Sequence, residues 1–212
     1  MINVKSREFE LMDQYGIHTV SSAFASTPEA AESISEEIGY PVAVKIQSPG
    51  VHKTEMGGVR LNVNRDGIKP AFNEIIENAK RAGISYQGVV IQKMAKPGLE
   101  VIVGFKRDQQ FGPVVLFGIG GIYTEVLKDF SLRVCPITEA DAFEMIDELK
   151  SKEIFTARGK VYDKTSIVNL LMKVNNIALK ENIKELDLNP VFLYPRGGDE
   201  DYSIVDVRLI EE

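Results

Sequence analysis

The chain has 212 residues, 25 Lys and Arg against 31 Asp and Glu for a formal charge of -6, and 44% hydrophobic and 26% charged residues. This balance belongs to a soluble globular chain: it excludes a disordered polymer and a membrane-embedded protein, and the acid excess leaves no basic footprint for nucleic acid. A single cysteine, Cys135, and two histidines exclude a disulfide framework and a cysteine–histidine zinc site.

The opening MINVKSREFELMDQYG has no apolar run of signal-peptide length, so a reducing, cytoplasmic location is expected. Phe9 to Tyr15 has amphipathic helical spacing that Gly16 stops. Ser26-Thr27-Pro28-Glu29 offers a cap, an early proline and a first-turn acid for a second helix ending at Gly39. Pro41 to Ile46 reads as a buried strand carrying one lysine, and Gly57-Gly58 precedes another, Val59 to Val63. Ile68 to Ala82 has helical periodicity and stops at Gly83, and Gly88 to Gln92 is again strand-like.

Ala95-Lys-Pro-Gly98 has turn chemistry and divides an expected lobe 1–94 from a second, 95–212. Leu99 to Phe105 and Pro113 to Phe117 read as strands. The apolar run Pro113 to Tyr123 is about half of a membrane span and holds three glycines, so no crossing is expected. Gly118-Ile-Gly-Gly121 lacks the third glycine of a dinucleotide fingerprint. A segment from Tyr123 to Val134 precedes a helix over Asp141 to Lys150, for which Thr138 is the candidate cap, and a longer helix over Thr165 to Glu181. Two strands, Glu185 to Leu193 and Ser203 to Leu209, close the chain around the loop Pro195 to Asp201. The class expected is α+β.

Charge is distributed unevenly. Residues 45–65 hold four bases and one acid, whereas residues 199–212 hold six acids and one base. That polarity suits an anion held with a divalent cation, or two solvated surfaces. Lys45 sits among apolar strand neighbours, where an ammonium either meets an anion or points to solvent. His52, beside Lys53 and flanked by Pro49-Gly50 and Gly57-Gly58, is either a phosphate-meeting group or a plain loop histidine. The glycine pair can offer backbone N–H groups to an anion or simply make a turn. Asp187 and Asn189 alternate with leucines, and Asp206 lies between valines on the next expected strand. Their oxygens form a set of the kind Mg2+ accepts, or the exposed polar face of an antiparallel pair.

Six segments occur in order: Ile38-Gly-Tyr-Pro-Val-Ala-Val-Lys-Ile46 with Ser48-Pro49, His52-Lys-Thr-Glu-Met-Gly-Gly-Val-Arg-Leu61, Phe111-Gly-Pro-Val-Val-Leu-Phe-Gly-Ile-Gly-Gly-Ile122, Glu125-Val-Leu-Lys-Asp129, Arg158-Gly159, and Glu185-Leu-Asp-Leu-Asn-Pro190. Over nearly the whole chain this series resembles the ATP-grasp β subunit of the ADP-forming acetyl-CoA synthetases, within the nucleoside-diphosphate-forming acyl-CoA synthetase superfamily. The resemblance implies two α/β lobes with ATP or ADP bound between them. The implied reaction converts acyl-CoA, ADP and phosphate reversibly into carboxylate, CoA and ATP, in company with a CoA-binding α subunit in an α2β2 assembly.

The same resemblance implies a role for each matching residue. His52 is the phosphoryl carrier and Lys45 a phosphate contact, with amides from Gly57 and Gly58. Gln92, Lys93 and Met94 form an adenine hinge, and Glu100 is a nucleotide-site acid. Asn189 and Asp206, with Asp187 close by, are Mg2+ ligands, and Lys53 and Arg158 are further phosphate contacts. In the family pattern three residues separate the Ser-Pro from the histidine, and here there are two, Gly50 and Val51. The rival expectations are an ATP-grasp carboxylate–amine ligase working through an acyl phosphate, and a non-catalytic nucleotide-binding regulatory subunit.

Overall fold

The computed structural model describes residues 7–47, 56–121 and 128–211. The chain folds as two units, one formed by Val20–Ala95 and the other by Arg7–Thr19 with the chain from Lys96 onward. Helix α1 (Arg7–Gln14) therefore packs outside the first lobe in which the sequence placed it. The reason is apolar: Leu11 and Met12 join the core of the second unit.

In the first unit the chain forms β1 (Ser22–Ala25), α2 (Pro28–Ile38), β2 (Val42–Gln47), β3 (Val59–Val63), a 3-10 turn (Arg65–Gly67), α3 (Ile68–Arg81) and β4 (Gly88–Lys93). The Thr27 side chain accepts from the Ala30 N–H at 3.1 Å to start α2, Pro28 fills the first turn, and Gly39 at φ 90° leaves the helix. An antiparallel sheet in the order β1-β4-β2-β3 turns Val42, Val44, Ile46, Val89 and Ile91 against Ala31 of α2 and Ala71, Phe72, Ile75 and Ala79 of α3. Strand β1 was not expected, because Ser-Ala-Phe-Ala has no β-branched residue.

The second unit contains β5 (Leu99–Asp108), β6 (Gly112–Ile119), β7 (Phe130–Val134), α4 (Glu139–Asp147), a 3-10 segment (Lys152–Gly159), α5 (Lys164–Lys180), β8 (Ile183–Leu193), β9 (Tyr202–Ile204) and β10 (Val207–Glu211). Its antiparallel sheet runs β10-β8-β5-β6-β7, with β9 paired to β8. Val101, Val103 and Phe105 with their cross-strand neighbours Val115, Phe117 and Ile119 turn to one face, where buried residues of α1, α4 and α5 complete the core. Ile102 and Gly104 line the other face beside Gly118 and Leu116.

Thr138 caps α4 as expected, and with Asp141 it makes a full capping box, so the helix begins at Glu139 rather than Asp141. Asp163 caps α5 through the Thr165 N–H at 2.9 Å. The Arg107 guanidinium donates to the carbonyls of Ala178, Glu181 and Ile183 at 2.8–2.9 Å, tying the end of α5 to β5 and β8. The strand expected over Ser203 to Leu209 is two, β9 and β10, with Val205 and Asp206 outside both. No described helix is long and apolar enough to cross a membrane.

Candidate functional site

Each unit brings its own set of candidate residues together. In the first unit Lys45 is half-buried on β2, opposite Val59 of β3 and Val90 of β4. Gly57 and Gly58 meet the same end of the sheet: the Ile46 N–H donates to the Gly58 carbonyl at 2.8 Å, and Asn78 Nδ2 of α3 donates to the Gly57 carbonyl at 2.9 Å. Gly57 has φ 68°, a left-handed conformation that favours glycine, and a Cβ there would stand 2.8 Å from Asn78 Nδ2 and displace that side chain from the Gly57 carbonyl. Gln92 is buried at 2% exposure on β4, between Ser22 and Ala43. Lys93 ends the strand exposed, and Met94 follows it half-buried. His52 and Lys53 lie outside the described residues.

In the second unit the open face of the sheet carries the acids. Asp187 on β8 lies opposite Gly104 of β5 and Arg208 of β10. Burial pushes its carboxyl above the ordinary aspartate range, Glu185 raises it further, Arg208 opposes, and Asp206 raises it again. Gly104 permits this closeness, since a Cβ there would meet the Leu186 carbonyl oxygen at 2.4 Å and the Asp187 Cα at 3.3 Å.

The strict alternation of β8 breaks after Leu188. Asn189 and Pro190, joined by a cis peptide bond, are both left out of the core, and the β5 register shifts opposite them. Asn189 is exposed, and its backbone N–H donates to the Asp206 carbonyl at 3.2 Å. Asp206 is thus held beside Asn189 from the gap between β9 and β10 rather than from within a strand.

Glu100 on β5 accepts from the Gly120 N–H at 2.8 Å through its carbonyl, and a Cβ on Gly121 would lie 2.8 Å from its Oε2. Arg158 lies on the 3-10 segment. At φ 55° it occupies the left-handed region between Ala157 and Gly159, and it lines a cavity of about 530 Å3 with Pro97, Leu99, Ile154, Lys160 and Tyr162.

Two residues that matter to this site were missed by sequence reasoning, Gly104 and Arg208. A glycine inside Val-Ile-Val-Gly-Phe was the available signal for close backbone approach. Arg208 could be paired with Asp187 only once the β8–β10 register was known.

The donor set of Asp187, Asn189 and Asp206 fits a hard divalent cation. It offers two carboxylates and an amide oxygen, and a cation beside Asp187 would oppose the burial, and then the Glu185 charge, that raise its carboxyl. Among the described residues no three Asp, Glu, His or Cys groups gather around one metal position.

The two antiparallel sheets with their helices form an ATP-grasp fold, and residues 4–210 match the ATP-grasp domain family. The chain is 44% identical over 209 residues to the β subunit of acetate–CoA ligase (ADP-forming) I of Pyrococcus furiosus, covering 95% of this chain and 88% of that one. It is 42% identical to acetate–CoA ligase (ADP-forming) I of Archaeoglobus fulgidus over 94% of its own length, but spans only 30% of that longer chain. Among solved structures, the acetyl-coenzyme A synthetase 1 of Ca. Korarchaeum cryptofilum superposes with a TM-score of 0.83 at 37% identity, covering 99% of this chain and 92% of that one. That structure is a complex with coenzyme A and Mg-AMPPCP, its phosphohistidine segment pointing towards the nucleotide binding site. This chain belongs to the ATP-grasp family of ADP-forming acetate–CoA ligase β subunits.

Proposed function

We propose that the chain is the β subunit of an ADP-forming acyl-CoA synthetase, acting with a CoA-binding α subunit in an α2β2 assembly and using ADP or ATP with Mg2+. The observation that carries this reading is the 44% identity to a β subunit across 88% of that subunit's length. The phosphohistidine segment of the Korarchaeum relative supports the relay.

In the synthetic direction phosphate displaces CoA from acyl-CoA on the partner, giving an acyl phosphate. Its phosphoryl group passes to a histidine of the partner, releasing the carboxylate, and then to the imidazole of His52. The terminal oxygen of ADP next attacks that phosphorus: an O–P bond forms, the N–P bond breaks, and the imidazole nitrogen recovers its lone pair. Lys45, with the amides of Gly57 and Gly58, receives the nucleotide phosphates, helped by Lys53 and Arg158. Gln92, Lys93 and Met94 hold the base, and Glu100 lines the nucleotide site. Asp187, Asn189 and Asp206 would hold the Mg2+, which when bound offsets the negative charge of the phosphates.

The test combines the chain with its CoA-binding partner. Acyl-CoA, ADP and phosphate should yield ATP, and His52→Ala should abolish this while ADP binding persists. An acid-labile, base-stable phosphoryl label should form on the wild-type chain and be absent from His52→Ala. ATP formation by His52→Ala at the wild-type rate would overturn the relay.

A further inference from the structure

Between Ala157 and Lys160 the chain reverses through two residues. Arg158 and Gly159 both have positive φ, 55° and 73°, and the Lys160 N–H donates to the Ala157 carbonyl at 3.1 Å, the pattern of a type I′ turn. Glycine, asparagine and aspartate ordinarily fill such a turn, because a larger L side chain in the left-handed region crowds its own backbone. An arginine at its first central position is strained. The surroundings hold it there. The Tyr162 N–H donates to the Phe155 carbonyl at 2.9 Å and the Arg196 N–H to the Val161 carbonyl at 2.8 Å, while Tyr162 bridges Pro195. Phe155 is fully buried and stacks on Phe117 at a ring separation of 6.3 Å, so the arms of the turn are fastened to the core.

The turn forms one wall of the cavity of about 530 Å3, whose described lining lies entirely within the second unit. That volume is in the range of small-molecule sites, ~300–1,000 Å3. Pro97, Leu99 and Ile154 give the cavity an apolar side, and Leu99 and Ile154 also pack on the core of the unit. Arg158 and Lys160 give it two positive charges, and no described carboxylate lines it. Asp163, the acid nearest Lys160 in sequence, is engaged elsewhere: its carboxylate pairs with Arg196 at 2.9 Å and accepts from the Thr165 N–H at 2.9 Å.

From this arrangement we infer that the cavity binds a phosphorylated small molecule, with Arg158 and Lys160 together holding the phosphate. The guanidinium fork matches phosphate oxygens in pairs, two cations offset a dianion, and Pro97, Leu99 and Ile154 cover the organic body. The strained arginine is retained because the glycine or asparagine that would relieve the backbone cannot supply the charge. The site needs from the proposed function only that Arg158 meets phosphate; it does not need the relay through His52. The phosphate belongs either to the nucleotide or to a second phosphorylated molecule, and competition separates the two sources.

Calorimetric titration of the full chain with phenyl phosphate tests this directly. Phenyl phosphate should bind about 10-fold or more tightly than inorganic phosphate, which lacks the apolar body. Arg158→Asn and Lys160→Ala should each weaken it by about 10-fold or more. Arg158→Asn should at the same time melt about 2–4 °C higher than wild type, because the turn is relieved. A residue serving only the fold would not lose binding while gaining stability. With ADP and Mg2+ saturating, phenyl phosphate binding that persists assigns the cavity to a second phosphorylated molecule. Its loss, with Lys160→Ala also weakening ADP, assigns the cavity to the nucleotide phosphates. Absence of phenyl phosphate binding to wild type at about 10 mM, or either variant binding it as tightly as wild type, overturns the inference. So does Arg158→Asn melting below wild type, which would give the arginine a role in the fold.

Discussion

The backbone N–H of Asn189 donates to the carbonyl of Asp206 at 3.2 Å, joining the break in β8 to the gap between β9 and β10. The bond uses main-chain groups only. Both side chains are left available to a ligand, and their removal does not remove the bond that holds them together. Asn189→Ala and Asp206→Ala should therefore each change folding stability by less than about 0.5 kcal/mol, while raising the Mg2+ concentration needed for half-maximal ATP formation. Thermal unfolding alongside a Mg2+ titration of activity checks both halves.

Asp187 should respond to pH in a defined direction. Its folded-state carboxyl is raised, by burial first and then by Glu185 and Asp206 against Arg208, so its stabilising contribution is present below the unfolded-chain value and lost as pH rises through the folded one. Without ligands, Asp187→Asn should melt higher than wild type at neutral pH. The gap should close below about pH 4, the ordinary aspartate range. Mg2+ should raise the melting temperature of wild type more than that of Asp187→Asn.

Gly104→Ala should damage both fold and site. A Cβ 2.4 Å from the Leu186 carbonyl must push β5 and β8 apart directly beside Asp187. The expected cost is about 1–3 kcal/mol of overpacking, with weaker Mg2+-dependent nucleotide binding. Denaturant unfolding and calorimetric titration with ADP measure the two effects separately.

Asp129 is a buried organising acid rather than an exposed one. Its carboxylate accepts from the Lys150 N–H at 2.8 Å, the Ser151 N–H at 2.9 Å and the Ser151 hydroxyl, fastening the start of β7 to the turn that leads into the 3-10 segment carrying Arg158. Burial alone would raise its carboxyl, but these hydrogen bonds outweigh burial and hold it below the usual range. Asp129→Ala should cost about 2–4 kcal/mol by leaving backbone donors unpaired. Because a lowered folded value gives stability that is lost in acid, the difference between wild type and Asp129→Asn should shrink as pH falls through that value.

Elements whose limits are written in local chemistry were legible in the sequence. Thr27-Pro28 with Gly39 framed α2, and Thr138 marked the start of α4, because caps and left-handed stops are decisions of a few adjacent residues. What escaped depended on partners far along the chain. Strand β1 is a strand because β4 lies beside it, and α1 joins the second unit because its apolar side finds that core. Within the candidate site, Asp187 and Asn189 were visible as an alternating pair, but the break after Leu188 and the gap that holds Asp206 arise from register. Sequence periodicity carries no trace of either.

The membership of α1 in the second unit bears on the order in which the protein can be completed during synthesis. The first unit, Val20–Ala95, has all of its strands once β4 has left the ribosome. The second begins with α1 yet waits for the last strands, since Thr19 bridges Ile204 and Arg7 pairs with Glu211. Leu11 and Met12 therefore lack the β10 side of their packing until that strand has been made, and an apolar pair left partly uncovered on a nascent chain is open to aggregation.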